Sequence, residues 1–239
     1  MLSPNESGRE APILVHGKGP PLQRPRSPRP AHTARVIGDD DRTLVSPTTN
    51  APWRMICQLT IEFPYDTVPG TGWLAGHRTV ITAGHCLLND VPARDGDQKP
   101  FGEAKAASWA PHDFWLNNRD PDWDIGHIQL VEPLDPAKVG AFAYAPLPDT
   151  TLNQHYVNLA GYPRSISKYL GANGDRLVHH ANRIQAVGVE RLFYDIDASG
   201  GQSGAPVWIH ETAGAAPIVV GVHAKGWVAG QSGLGGRYN

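Results

Sequence analysis

Only two of the 239 residues are cysteines, Cys57 and Cys86, and only two are methionines. Two cysteines cannot build a multi-disulfide scaffold, so the chain must fold on its own hydrophobic core. They leave two readings open: one disulfide in an oxidising compartment, or two free buried thiols in a reducing one. Charge of one sign is lacking too. Lys plus Arg number 21 against 23 Asp plus Glu, a formal net charge of −2, which excludes the basic footprint of a nucleic-acid binder and a polybasic membrane patch. No apolar run approaches the roughly 18 residues of a membrane-spanning helix. The opening MLSPNESGREAPILVHGKG has no charged segment followed by an apolar stretch of signal length, so it carries no visible export address. Convincing helical periodicity is scarce; Pro133 and Pro136 argue against a long helix around Pro133 to Lys138.

At this length one large all-β domain, or two small ones sharing an interface, can bury a sizeable core. Residues 1–35 are rich in Pro, Arg, Gly and Ser and read as a disordered arm or removable pro-segment. From Val36 onward the texture changes to short β-type runs: RMICQLTI, GWLAG, RTVITAG, DIGHIQLV, YVNLAGYP, RLFYDI, APVWI and PIVVGVH. Gly, Pro, Asn and Asp punctuate them, as expected for a barrel or sandwich. Turn formers in LDPAKVG and PLPDT place a boundary between two halves near residues 135–150.

Three segments carry chemistry. In TVITAGHC, His85 follows a β-branched run and a small-residue turn, where an imidazole can project into a cleft. One histidine among eleven is a weak signal by itself. In DWDIGHIQL, Asp124 stands at a strand entrance with Ile125, Ile128 and Leu130 available to the core, so its carboxylate can be buried and hold one imidazole nitrogen. The neighbouring Asp122 reads as a turn residue after Pro121. In SGGQSGAPV, Ser203 lies in a glycine-rich turn leading into an apolar strand. Such a backbone can expose the hydroxyl and aim the amides of Gly201 and Ser203 at a developing oxyanion. A bare glycine-rich hairpin would explain this last segment alone. The order His, Asp, Ser, each at the edge of a β segment, points instead to a catalytic triad.

TGWLAGHRTVITAGHC, DIGHIQL, LAGYP and YDIDASGGQSGAPVW together resemble the bacterial glutamyl endopeptidase branch of the trypsin-like serine proteases. The resemblance runs from Val36 almost to the C-terminus. It implies an all-β chymotrypsin-like fold of two perpendicular antiparallel β-barrels with the active site between them. Residues 36–140 would form the first barrel, carrying His85 and Asp124, and residues 141–239 the second, carrying Ser203. It further implies a monomeric endopeptidase acting on protein or peptide substrates, secreted or periplasmic, with no metal or organic cofactor. His179, His180 and His155 do not change that expectation, because adjacent side chains of an extended segment diverge.

The resemblance also implies maturation by cleavage after Arg35, freeing the Val36 amine. The aspartate that receives such an amine in trypsin-type zymogens is replaced here by Gln202; the resemblance to the glutamyl branch implies that the amine lies near the specificity pocket. In GVHAKG, His223 matches the histidine that binds the acidic side chain before the scissile bond. The hydroxyl-bearing residue of that pocket is replaced by Ala198, and Ser199 is one position along. Asp197, six residues before Ser203, keeps a rival Arg/Lys preference open. Gly70 occupies the usual place of the partner of Cys86, leaving a bridge to Cys57 as the pairing to consider. The chain ends at GLGGRYN, short of a strand and helix that the family carries, so the second barrel is expected to lack an edge element. A protease-like binding protein with an impaired triad is therefore the alternative in another functional class.

Overall fold

The computed structural model describes residues 13–17, 36–63, 66–87, 102–164, 176–225 and 233–237. In chain order the strands are β1 (Ile13–Gly17), β2 (Thr43–Leu44), β3 (Ile56–Phe63), β4 (Asp66–Gly76), β5 (Thr79–Thr82), β6 (Glu103–Pro111) and β7 (Gly126–Leu130). They continue with β8 (Ala143–Tyr144), β9 (Tyr156–Gly161), β10 (Val178–Val187), β11 (Arg191–Tyr194), β12 (Pro206–Ile209), β13 (Ile218–Lys225) and β14 (Gly233–Arg237). Helices among the described residues are short, the longest being Asp113–Asn118. None of them is long and apolar enough to cross a membrane.

Six strands close a first barrel in the order β1-β3-β4-β5-β7-β6. The second sheet runs β11-β14-β13-β12-β9-β10-β2, and a further β10–β11 pairing joins its path into a second barrel. This is the double-barrel architecture of the chymotrypsin-like fold. Most pairings are antiparallel; β1 pairs in parallel with β3 and β6, and β8 in parallel with β13. Alternation does what it should on β7, where Ile128 and Leu130 point inward and His127 outward. Leu59, Trp73, Leu74, Val80 and Leu130 fill the first core, and Leu159, Leu192, Tyr194, Val207 and Ile209 the second. Between them Trp73, Phe142, Trp208 and Trp53 form a chain of edge-on and tilted rings with centroids 5.7–6.0 Å apart. Such geometry matches the preference of aromatic quadrupoles.

All eight runs picked out by their β texture lie on strands. Several features differ from expectation. Residues 13–17, assigned to an arm without structure, form β1 in the wall of the first barrel; the apolar run ILV there is too short to stand out from its Pro/Arg-rich surroundings. Residues 43–44 pair with β10 of the second sheet rather than within the first barrel. The gap foreseen in the second barrel is occupied by β14, which pairs with both β11 and β13.

The Cys57–Cys86 bridge is not formed: both cysteines are free and buried. Cys57 lies opposite Gly72 in the β3–β4 ladder. The Cys86 sulfur instead faces Gly70, where an added Cβ would lie 3.5 Å from it. Gly70 pairs with Leu59, two residues further along β3 than Cys57. The backbone thus keeps the usual partner position beside Cys86, but glycine fills it. Burial pushes the Cys57 thiol pKa up, so it stays protonated and behaves as a small apolar core residue.

Candidate active site

His85 sits in a 3₁₀ turn, Gly84–Leu87, directly after β5. Asp124 caps the 3₁₀ turn Pro121–Trp123 just before β7, which pairs with β5, so the ladder that closes the first barrel brings the two together. The buried Asp124 carboxylate makes two contacts with one residue: it accepts from the His85 backbone amide at 2.8 Å and lies 2.8 Å from Nδ1 of the same imidazole. The Trp115 ring stands edge-on to the imidazole, 6.4 Å between centroids. Burial alone would lower the His85 pKa, but the Asp124 charge, with the neighbouring Cys86 and the Asp124 hydrogen bond, outweighs it and raises the pKa well above the usual histidine value.

Ser203 lies in the turn before β12. Gly201 and Gly204 of this turn have φ of +101° and +87°. A Cβ on Gly201 would land on the Tyr162 carbonyl, and one on Gly204 on the Thr71 carbonyl and the Thr82 hydroxyl. Only glycine gives both the left-handed backbone and the close approach. The amides of Gln202, Gly204 and Ala205 donate to the carbonyls of Ser199, His223 and Gln202. Those of Gly201 and Ser203 have no backbone acceptor among the described residues.

The Ser203 turn is fastened to the first barrel by β4. The Thr71 amide donates to the Ser203 carbonyl at 2.9 Å. The Thr71 hydroxyl donates to the Gly201 carbonyl at 2.8 Å and accepts from the Tyr162 amide at 3.0 Å. The Cys86 sulfur, next to His85, lies 3.8 Å from the Ser203 carbonyl. Sequence reading missed Thr71: a threonine in TGW gives no local sign of reaching across 130 residues.

His223 is buried on β13, its Nδ1 2.9 Å from the Tyr194 hydroxyl. Burial, and after it the neighbouring His85, push its pKa down to about 4. Ala198 is buried and offers no polar group. The Ser199 hydroxyl accepts from Arg42 at 2.7 Å. Val36 is half-buried, one residue from Ile37, whose amide donates to Asp197 at 2.7 Å. Asp197 also accepts from the Asp41 amide at 2.8 Å, so both carboxylate oxygens already hold the 37–41 backbone. Asp122 is more than a turn residue: it forms an ion pair with Arg191 of β11 across the two barrels. His179 and His180 diverge, the first to Asn158 and the second to the Asp197 amide. Among the described residues no group of three His, Cys, Asp or Glu side chains is placed to hold a metal ion.

A family model for the trypsin-like peptidase domain matches residues 70–222. The chain belongs to this family. It is 31% identical over 215 residues to a glutamyl endopeptidase of Bacillus licheniformis, covering 82% of this chain and 63% of that protein. A Bacillus subtilis protein named extracellular metalloprotease is 30% identical over 190 residues, covering 72% of this chain and 57% of its own length. The chain thus spans somewhat less than two thirds of these relatives. Among solved structures, a Glu endopeptidase superposes with a TM-score of 0.68 at 22% identity, over 85% of this chain and 93% of that one.

Proposed function

We propose that the protein is a serine endopeptidase with Ser203 as nucleophile, His85 as general base and Asp124 as the residue that orients His85. The observation carrying this reading is the double engagement of His85 by Asp124. With Nδ1–H donated to the carboxylate, the ring presents Nε2 for the Ser203 proton. On attack, the Ser203 oxygen bonds to the scissile carbonyl carbon, the proton passes to Nε2, and the carbonyl oxygen becomes an oxyanion facing the Gly201 and Ser203 amides. Collapse expels the amine, which takes the proton from His85; water then attacks the acyl-enzyme by the same relay. Asp124 stabilises the imidazolium throughout.

The preferred residue before the scissile bond is Glu, with Asp behind it. A neutral His223 whose Nδ1 accepts from Tyr194 carries its proton on Nε2, a donor suited to a carboxylate in a dry pocket. The resemblance assigns Ala198 and Ser199 to the same pocket, and a freed Val36 amine would add positive charge to it. The rival preference for Arg or Lys needs a free Asp197 carboxylate, and both its oxygens are spent on the 37–41 backbone. The two barrels would act as the halves of one monomer, secreted as the name of the Bacillus subtilis relative implies. The test is digestion of a peptide library by the wild-type chain and by Ser203→Ala. Cleavage after Glu by the wild type alone is expected. Equal cleavage by both overturns the mechanism, cleavage after Lys or Arg overturns the specificity, and a folded wild type that cuts nothing favours the protease-like binding protein.

A further inference from the structure

The nucleophile turn has a cation at its back. Arg42 is 3% exposed, and its guanidinium is held side-on by Asp40: Nε donates to Oδ1 at 2.8 Å and Nη2 to Oδ2 at 2.7 Å. The remaining edge faces the turn. Nη1 donates to the Ser199 hydroxyl at 2.7 Å and to the Gln202 side-chain oxygen at 2.9 Å. That same Gln202 oxygen accepts from the Ser199 amide at 2.9 Å. One buried amide oxygen therefore closes the turn on itself and ties it to Arg42. Asp197, two residues before Ser199, pins the backbone just ahead of Arg42 through the Ile37 and Asp41 amides.

The charges explain the residue types. A buried guanidinium is costly unless neutralised and fully hydrogen-bonded. Asp40 neutralises Arg42, so the position before the nucleophile needs an acceptor without charge, and glutamine is one. A carboxylate at 202 would leave one negative charge in excess and require a further cation, such as a new amino terminus. Here the cation is internal, and it sits downstream of Val36 whether or not the chain is cut.

We infer that Arg42, paired with Asp40, is the positioning residue that holds the Gly201–Ser203 amides in working geometry, so that competence of Ser203 does not depend on a freed Val36 amine. The inference rests on the serine-endopeptidase reading above. It separates two roles that one amine performs in trypsin-type zymogens: assembly of the nucleophile turn falls to Arg42, and cleavage after Arg35 would act on substrate affinity.

The test compares the labelling rate of Ser203 by an aryl phosphonate, together with kcat and KM on a Glu-containing peptide. Full-length Arg35→Gln, verified uncut by intact mass, is expected to label within about 3-fold of the chain cut after Arg35, any difference between them lying in KM. The variant Asp40→Asn/Arg42→Gln, which leaves no lone buried charge, is expected to label and turn over about 100-fold more slowly, the scale of a lost oxyanion donor. Its KM and its denaturation midpoint should stay near the wild type. If that variant loses its unfolding transition, Gln202→Leu, which keeps the Arg42–Asp40 pair, should show the same loss in kcat. An uncut chain that labels more than 30-fold slower than the cut one overturns the inference, as does wild-type labelling by the folded variants. A wild type unlabelled in both forms overturns the catalytic reading, and the inference with it.

Discussion

The two halves of the site are built on different plans. His85 and Asp124 come from adjoining strands of one barrel, and a single carboxylate fixes both the backbone and the ring of the histidine. The Ser203 turn owes its shape to distant chain. Thr71 of the first barrel binds its carbonyls, and Arg42, 160 residues from Gln202, binds its side chains. The first half is a local product of a β-ladder, whereas the second exists only when the two barrels are docked and residues 37–42 are laid along the second. Damage to the docking should therefore reach the Ser203 turn before it reaches the His85–Asp124 pair.

Substitutions can break this contrast at either end. The largest effect is expected at the self-contained pair: Asp124→Asn, which spoils the imidazole tautomer, should lower kcat by roughly 10⁴-fold with little change in KM or in denaturation midpoint. On the proposed specificity, His223→Gln removes the donor to the substrate carboxylate. It should reduce the preference for Glu over Gln, measured as a ratio of kcat/KM values, on the order of 100-fold, the worth of a lost hydrogen bond to a charged group. Thr71→Val keeps the side-chain shape but leaves the Gly201 carbonyl and the Tyr162 amide unpaired. It should slow phosphonate labelling of Ser203 by about 10-fold and cost about 1–3 kcal/mol of stability in urea titration; an effect on stability alone would show that Thr71 does not tie the docked barrels to the nucleophile.

Two smaller effects follow from titration. As the proposed general base His85 must be neutral to accept a proton, and the Asp124 charge raises its pKa, so the acid limb of the kcat/KM profile should lie above the ordinary histidine value of 6.5. A limb below 6.5 would mean that Asp124 orients the ring without holding charge on it. His223 shifts the other way. Its folded pKa of about 4 lies below 6.5, so on acidification the unfolded chain takes up the proton first. The stability it supports is complete above pH 6.5 and falls as pH drops toward 4, by about 2 kcal/mol at pH 5. His179, lowered to about 4 chiefly by burial, has the same sign. His223→Gln should flatten, but not abolish, the fall of the urea midpoint between pH 7 and 5.

How much was legible in the sequence follows the same division. His85 and Asp124 could be found because each ends or begins a strand with an apolar pattern, and Ser203 because its glycines mark a backbone that few residue types allow. Arg42 stood in the acidic run DDDRT, which looks like solvated chain, and nothing local shows that it is buried. Asp197 was placed by spacing in a specificity pocket, but spacing does not fix which way a carboxylate turns, and the 37–41 amides claimed it. Strands β6 and β10 went unseen because Ala, His and Asn dilute their pattern and only Val178 and Ile184 of β10 are buried. Cysteine count left the pairing open, and the ladder register decided it.

The most direct measurement is mass spectrometry of the chain quenched in acid during turnover of a Glu-containing ester. A single acyl group on the peptide that contains Ser203, absent from Ser203→Ala, is the predicted result. Continued product formation with no adduct, or an adduct on another residue, would contradict the assignment of Ser203 as the nucleophile.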